Sequence, residues 1–312
     1  MAIYAAIDIG TNTLRLLVAE TVGSDHFAIL HEEQAVARLG EGLMPSRLLQ
    51  DEPMRRSLVV LGRFAETARR FNPLCVAAVA TSAVREATNR EEFVAAVLRE
   101  SGLSVRVIDG NEEARLTLLG VRHGLGLGSK RVLVMDIGGG STEFIVAAGE
   151  TIEAMVSTGL GVVKLTEAHL RSDPPTSDEL EAVERVVADR VGRLRAELPD
   201  LAGTTLIGTA GTPTTLAAMD LGLAVYSADR VNGHRLSTVR TRQLFRTLAT
   251  RPLAQRREIR PLEPGRADVI VTGTALLLTV MGVLAYNEFV VSDSGLREGI
   301  LLDLLRQQAL RG

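Results

Sequence analysis

Two segments of the chain share one arrangement of hydrophobic and polar positions. Residues 5–19 and 133–147 both contain an apolar strand, the triplet Asp-Ile-Gly, a turn that ends in Ser or Thr, and a second apolar strand. The segments align without gaps at an offset of 128 residues. Solenoid repeats recur at periods of roughly 20–50 residues, so an offset of half the chain predicts two related domains instead.

The rest of the chain alternates short apolar strands with helical patterns, which is typical of an α/β protein with mixed sheets. Thr176-Ser-Asp-Glu179 is a capping box, and apolar residues at helical spacing from Leu180 to Leu198 follow it. Asn89-Arg-Glu-Glu92 has the same form and predicts a second helix that begins there. Both segments are therefore expected to be helices with one buried face.

One stretch is long enough to be compared with a membrane span. Residues 269–286 carry no charge over 18 positions, and about 18 apolar residues would just cross a bilayer. The stretch contains Thr and Gly and is closely flanked by charged residues, so we interpret it as a buried helix running toward a strand. A membrane span is the less favoured alternative. Asp8 interrupts the first apolar run too early for a signal peptide.

Composition narrows the class of protein. A single cysteine, Cys75, excludes a disulfide framework and a Cys-based zinc site, and it fits a reducing cytoplasm. A net charge of −3 argues against broad electrostatic binding of nucleic acid. Only Lys130 and Lys164 of the 35 basic residues are lysines. Guanidinium groups match phosphate oxygens, but we expect most of the arginines to lie on solvated faces.

The two Asp-Ile-Gly turns carry the first candidate chemistry. Turns rich in Gly, Ser and Thr leave backbone N–H groups free to surround an anion, phosphate above all. A carboxylate at the end of the strand can hold Mg²⁺, which prefers one or two carboxylates together with phosphate and water. The predicted phosphate contacts are Gly10, Thr11, Asn12 and Thr13 in the first turn, and Gly138, Gly139, Gly140 and Ser141 in the second.

Two further turns have related chemistry. Gly208-Thr-Ala-Gly-Thr212 lies between a strand and a helix, where the helix N-terminus favours an anion. Ser157-Thr-Gly-Leu-Gly161 follows the second repeat and is expected to close over the same anion as that repeat. The predicted phosphate contacts in these turns are Gly159, Thr209, Gly211 and Thr212.

Together these turns resemble the Ppx/GppA family of exopolyphosphatases and guanosine pentaphosphate phosphohydrolases, in the actin/Hsp70/sugar-kinase superfamily. The resemblance runs in order through residues 8–15, 80–87, 110–115, 136–143, 208–212, 266–270 and 292–299. No counterpart of the family's C-terminal helical extension is visible, so the chain resembles the short, two-domain form.

The resemblance implies a fold. We expect an α/β protein made of two duplicated ribonuclease-H-like (actin-like ATPase) domains, at 1–125 and 126–312, with an interdomain cleft that closes on ligand. The last helix, at about 298–309, is expected to pack back on the first domain. A homodimer is compatible with the family, although the sequence shows no interface.

The resemblance also implies catalytic roles. Glu113, the second Glu of Glu-Glu-Ala-Arg, would be the general base, and its place in the first turn of a helix suits a carboxylate. Glu112 would be a bystander. Arg85 would neutralise phosphate oxygens.

Metal and phosphate ligands follow from the same comparison. Asp136 and Glu143 would hold Mg²⁺ and the attacking water, with Asp8 opposite. Arg15 and Arg266 resemble positions that hold distal phosphates or a guanosine polyphosphate. Glu143 occupies the repeat position that Arg15 holds in the first half, so one half offers a carboxylate where the other offers a cation.

The activity implied is hydrolysis of a terminal phosphoanhydride. We expect a Mg²⁺-dependent, cytoplasmic exopolyphosphatase that prefers short chains, because a chain without the helical extension has less surface for a long polymer. A guanosine pentaphosphate (pppGpp) 5′-phosphohydrolase is the alternative. A small-molecule kinase and a non-catalytic ppGpp or nucleotide sensor, or an actin-like assembly unit, are remoter. The product-like ppGpp is expected to inhibit, and neither nucleic acid nor membrane is an expected partner.

Overall fold

The computed structural model describes residues 2–22 and 26–309, which group into two compact units. The first unit takes the chain up to Val121 and again from Gly295, and the second takes Arg122–Ser294. The division therefore lies a few residues before the predicted boundary at 125/126. The last helix (Leu296–Ala309) groups with the first unit.

The first unit is a five-stranded sheet in the order β3-β2-β1-β4-β5 with helices around it. Strands β1, β2 and β3 are antiparallel neighbours, whereas β4 and β5 extend the sheet from β1 in parallel. The elements of this unit are β1 (Ile3–Ile9), β2 (Thr13–Val22), β3 (His26–Val36), α1 (Asp51–Arg70), β4 (Cys75–Ala80), α2 (Ser82–Glu86), α3 (Arg90–Ser101), β5 (Val105–Val107), the start of α4 (Gly110–Leu125), and α12 (Leu296–Ala309).

The second unit has a six-stranded sheet in the order β10-β11-β9-β6-β7-β8. Strands β6, β7 and β8 are antiparallel, and β9 joins β6 in parallel. Its elements are β6 (Arg131–Ile137), β7 (Thr142–Ala148), β8 (Thr151–Thr158), α5 (Val162–His169), α6 (Ser177–Glu197), β9 (Thr205–Thr209), α7 (Gly211–Asp220), α8 (Ala228–Val231), β10 (Arg235–Ser237), α9 (Thr238–Ala249), α10 (Leu253–Arg256), α11 (Ile270–Val283) and β11 (Glu288–Val291).

The two sequence repeats occupy the same place in the two sheets. Each supplies a central strand, β1 or β6, and an antiparallel neighbour, β2 or β7, and each central strand has a parallel neighbour on its other side. The registers also agree, because Asp8 pairs with Arg15 and Asp136 pairs with Glu143. The mixed α/β architecture predicted from the sequence is therefore confirmed.

The uncharged stretch at 269–286 is a core helix followed by a strand, as predicted. Helix α11 is buried on nearly all sides and packs against α5, α6, α7 and α9. Helix α6 contributes the predicted apolar stripe to the same core, through Val183, Val187, Val191 and Leu194. Within residues 2–22 and 26–309, no helix combines the length and apolar character that are needed to cross a bilayer.

The two predicted capping boxes have different outcomes. At α6 the box is complete: the Thr176 hydroxyl accepts from the Glu179 backbone N–H, and the Glu179 carboxylate accepts from the Thr176 backbone N–H at 2.9 Å. Helix α3 begins where predicted, but Asn89 makes no side-chain cap bond. Its amide oxygen accepts from the Leu49 N–H at 2.9 Å, and its amide nitrogen donates to the Leu49 carbonyl at 3.1 Å. The Asn89 side chain therefore bonds to the distant Leu49 backbone instead of capping α3.

The capping box of α6 predicts a pH-dependent part of the stability. Backbone N–H groups of Thr176 and Arg171 hold the pKa of Glu179 down at about 2, from an ordinary value of 4.5. Because the folded-state pKa is the lower one, this stabilisation is complete above pH 4.5 and is lost as the pH falls toward 2. The difference in unfolding free energy between wild type and Glu179→Gln, from urea titrations, should therefore shrink over that range. Glu181→Gln, an exposed change on the same helix, is the control, and a difference that stays constant with pH would contradict the assignment.

Candidate active site

The first repeat forms a tight turn whose first position has room only for glycine. The Gly10 N–H donates to the Thr13 carbonyl at 3.2 Å, and a Cβ on Gly10 would lie 2.7 Å from that carbonyl oxygen. A second turn lies against it, because the Gly40 N–H donates to the Thr11 carbonyl and the Arg38 N–H to the Asn12 carbonyl. The predicted residues 10–13 therefore form one turn, which is stabilised by hydrogen bonds from a second turn.

The second repeat forms the same turn in the other unit. The Gly138 N–H donates to the Ser141 carbonyl at 2.9 Å, and a Cβ on Gly138 would lie 2.9 Å from that oxygen. Here too a second turn packs on the first: a Cβ on Gly161 would lie 2.2 Å from the carbonyl carbon of Gly140. The turn at 157–161 therefore contacts the Gly-rich turn, while its closure over a common anion and the phosphate contact of Gly159 stay predictions.

Sequence reasoning missed the covering turn of the first unit, although a signal for it exists. A Leu-Gly pair follows the third strand of both repeats, as Leu39-Gly40 and as Leu160-Gly161. In both units the Asp-Ile-Gly turn lies so close to this glycine that a Cβ would clash with it. A Cβ on Gly40 would lie 2.3 Å from the Thr11 methyl carbon, and Gly161 has the contact with Gly140 described above. The duplication therefore includes a second turn as well as the Asp-Ile-Gly turn.

The acidic residues of the repeats are buried and paired across neighbouring strands. Asp8 is 6 % exposed, Asp136 is 9 % exposed and Glu143 is 1 % exposed. Directly opposite residues of an antiparallel pair lie on one face of the sheet, so Asp8 shares a face with Arg15, whereas Asp136 shares one with Glu143. The first unit thus pairs a carboxylate with a cation, and the second unit sets two carboxylates side by side.

The carboxylate pair of the second unit has the donor chemistry of a hard cation site. The Ser157 hydroxyl donates to Glu143 Oε1 at 2.7 Å, which fixes that carboxylate. Like charges directly opposite each other destabilise a sheet, and a bound cation would offset this. In the described part of the chain, no three Asp, Glu, His or Cys side chains converge as a metal cage. Two oxygen ligands completed by water and phosphate are the coordination that Mg²⁺ favours.

The predicted base and the predicted phosphate-binding arginine are in direct contact. Arg85 Nη1 donates to Glu113 Oε2 at 2.7 Å and to the Ile108 carbonyl at 3.1 Å. Glu113 is 7 % exposed, so the guanidinium compensates the charge of a buried carboxylate. An arginine has five N–H donors, and further donors of Arg85 are available for an anion.

Glu112, the neighbour assigned as a bystander, lies in different surroundings. Its carboxylate pairs with the exposed Arg106, and its backbone N–H donates to Asp109 Oδ1 at 2.8 Å. The first turn of α4 therefore carries two glutamates with different partners. Only Glu113 is buried beside a second predicted site residue.

The third predicted turn lies beneath an arginine. The Arg266 guanidinium covers Gly211 so closely that a Cβ there would lie 2.1 Å from Nη1. Arg266 is 8 % exposed, and its Nε lies 3.0 Å from Glu263 Oε2. Ala210 has φ 71° and ψ −165°, a region that is essentially restricted to glycine and is concentrated at functional sites. The structure thus joins two predicted phosphate contacts, Gly211 and Arg266, that are distant in the sequence.

The two threonine side chains of this turn have different surroundings. Thr209 Oγ1 donates to the Ser294 carbonyl at 3.1 Å. Thr212 Oγ1 packs against α11, where a Cβ on Gly273 would lie 2.2 Å from it. The Thr209 hydroxyl hydrogen is therefore already donated within the protein.

Known proteins resemble the chain over nearly its whole length. The sequence profile of the Ppx/GppA phosphatase family matches residues 17–308. Exopolyphosphatase 2 of Mycobacterium tuberculosis is 33 % identical over 312 residues, which cover 96 % of this chain and 98 % of that protein.

Solved structures give the same picture. A Ppx/GppA family member of Aquifex aeolicus has a TM-score of 0.82 at 31 % identity, and an exopolyphosphatase of Cytophaga hutchinsonii has a TM-score of 0.91 at 28 % identity. Each comparison covers 98 % of both chains. These likenesses confirm the predicted fold class, an α/β protein of duplicated actin-like domains.

Proposed function

We propose, from the premise that the chain belongs to the Ppx/GppA phosphatase family, that it releases terminal orthophosphate from inorganic polyphosphate. Membership makes it a phosphoanhydride hydrolase. Polyphosphate is favoured as substrate because a relative that is named an exopolyphosphatase aligns with 96 % of the chain at 33 % identity. pppGpp has the same terminal bond and is the alternative substrate.

The observation that carries the proposal is the duplicated Gly-rich turn. Both copies close through the same backbone hydrogen bond, and both follow a strand whose next-to-last residue is a buried aspartate, Asp8 or Asp136. Such turns bind phosphate through backbone N–H groups without reading any other part of a ligand. Two copies in one chain suit a substrate that is built of phosphate alone.

In the proposed reaction, water attacks the terminal phosphorus in line with the bond to the leaving chain. Glu113 accepts a proton from that water, the phosphoanhydride P–O bond breaks, and the shortened chain leaves with the bridging oxygen. Arg85, already in contact with Glu113 at 2.7 Å, neutralises phosphate oxygens near the base. Phosphoryl transfer asks a protein mainly for this positioning and neutralisation.

We assign Mg²⁺ to Asp136 and Glu143, with Asp8 in the corresponding place of the first unit. When bound, the metal supplies positive charge to phosphate oxygens. Arg15 pairs in register with Asp8 and Arg266 covers the Gly211 turn, and we assign both to phosphates beyond the terminal one. A preference for short chains, inhibition by ppGpp and a homodimer stay predictions.

Gly211→Ala tests whether the Arg266 turn binds substrate. The new Cβ meets the end of a flexible side chain, so we expect the fold to survive while the guanidinium is displaced. KM for polyphosphate should rise about tenfold, as for Arg266→Gln, because one charge-assisted contact is worth about 1.5 kcal/mol. Gly192→Ala, on α6 with open space around it, is the control. An unchanged KM in both site variants would remove this turn from the substrate site.

A phosphate-release panel tests the proposed function. Wild-type protein is assayed on tripolyphosphate, longer polyphosphate, pppGpp and ATP, each with Mg²⁺ and with a chelator. We expect Mg²⁺-dependent release that is fastest from polyphosphate. Release from pppGpp alone would replace the substrate by the alternative, and no release from any compound would favour a sensor.

A further inference from the structure

A surface cavity of about 560 Å³ lies in the second unit. It is lined by Ala224, Tyr226 and residues 257–264. Glu263 belongs to this lining and also pairs with Arg266, whose guanidinium covers Gly211. One residue of the lining, Glu263, therefore pairs with the arginine that covers the proposed phosphate turn.

The chain around the cavity is positively charged. Residues 251–266 contain five arginines and two glutamates. Arg257 and Arg260 are exposed, and in the part of the chain that the structure describes their side chains form no ion pair or hydrogen bond. Two carboxylates face these cations: Glu258 also lines the cavity, and Glu263 is already neutralised by Arg266. The lining thus offers an anion two uncommitted guanidinium groups against one uncommitted carboxylate.

We propose that this cavity binds phosphate groups further along the substrate than the one that is released, and that Arg257 and Arg260 determine chain-length preference. The inference rests on the proposed exopolyphosphatase function. Polyphosphate repeats one negatively charged group, so cations placed beyond the reacting end can hold it without altering the chemistry. Planar guanidinium forks match phosphate oxygens geometrically. The excess of cations among the uncommitted groups of this lining favours an anionic chain over a nucleobase as occupant.

The proposal separates binding from catalysis. Neither arginine is among the residues to which we assign the reaction, so their loss should raise KM and leave kcat unchanged. Exposed ion pairs are individually weak, so we expect a factor of about three for each arginine and about tenfold for both. The effect should level off once the substrate is longer than the cavity can hold.

The test compares the double variant Arg257→Gln/Arg260→Gln with wild type on tripolyphosphate and on progressively longer polyphosphates. We expect KM to rise about tenfold for the longer chains and less than about twofold for tripolyphosphate, at equal kcat. Arg251→Gln is the control for the loss of one such charge, for which a cavity arginine should raise KM about threefold: it neutralises an exposed arginine of the same segment, outside the cavity. Equal melting temperatures show that the variants are folded.

Four results would overturn the proposal. An equal rise in KM for all chain lengths, or the same rise in Arg251→Gln, would indicate general electrostatic attraction. A rise confined to pppGpp would indicate a nucleotide site. Wild-type kinetics of the double variant on every chain length would exclude the cavity while leaving the proposed function intact. By contrast, a wild-type protein that releases no phosphate from polyphosphate would overturn the proposed function itself.

Discussion

Replacing Glu113 by Gln is expected to lower kcat for phosphate release by about 10²–10⁴-fold, the usual worth of a general base. The amide keeps the size of the side chain and can still accept from Arg85, but it cannot take a proton from water. Substrate binding should persist, so KM should change little. Phosphate release and equilibrium binding of polyphosphate, measured on the same preparation, separate the two effects.

Glu112→Gln is the matched control for this variant. It makes the same chemical change one position earlier, in a carboxylate that pairs with the exposed Arg106. We expect activity close to wild type. Removing one partner of a buried ion pair can destabilise a protein, so the melting temperature of Glu113→Gln is recorded beside its activity. Full activity in a folded Glu113→Gln protein would take the role of base away from Glu113.

Asp136→Asn is expected to lower phosphate release at least about a hundredfold, since even loss of a group that only supports a metal ligand commonly costs about 10–100-fold in affinity or activity. The variant also has a signature that does not depend on activity. In wild type, Asp136 lies directly opposite Glu143, and Mg²⁺ should raise the melting temperature by relieving the repulsion between these carboxylates. In Asp136→Asn this rise should largely disappear.

The control for the metal assignment is Asp189→Asn, a change on the outer side of α6. Its melting temperature should respond to Mg²⁺ as that of wild type does. If Mg²⁺ stabilised Asp136→Asn as strongly as wild type, the carboxylate pair would not be the metal site.

The repeat could be recognised in the sequence because each copy is one continuous run of residues. An apolar strand, an Asp-Ile-Gly turn and a second strand determine both the turn and the register. The pairing of Asp136 with Glu143 therefore follows from the same spacing that pairs Asp8 with Arg15. The side-by-side carboxylates of the second unit are thus a consequence of local sequence alone.

Contacts between distant parts of the chain could not be expected in this way. The sequence close to these residues does not predict that Arg266 lies over Gly211, or that the Asn89 side chain hydrogen-bonds to the backbone of Leu49. Asn89 illustrates the reason. A capping-box sequence supplies a side chain that can cap the helix, but the same side chain can instead bond to a residue that is distant in the sequence, here Leu49. At Thr176 the same pattern forms the complete box.

Hydrolysis of polyphosphate in water enriched in heavy oxygen shows whether water attacks the terminal phosphorus. We expect that orthophosphate is released progressively from chain ends, that each newly released phosphate carries a solvent oxygen, and that release stops when Mg²⁺ is chelated. Phosphate that appears without solvent oxygen, or transfer of phosphate to another molecule without release, would contradict attack by water on the terminal phosphoanhydride.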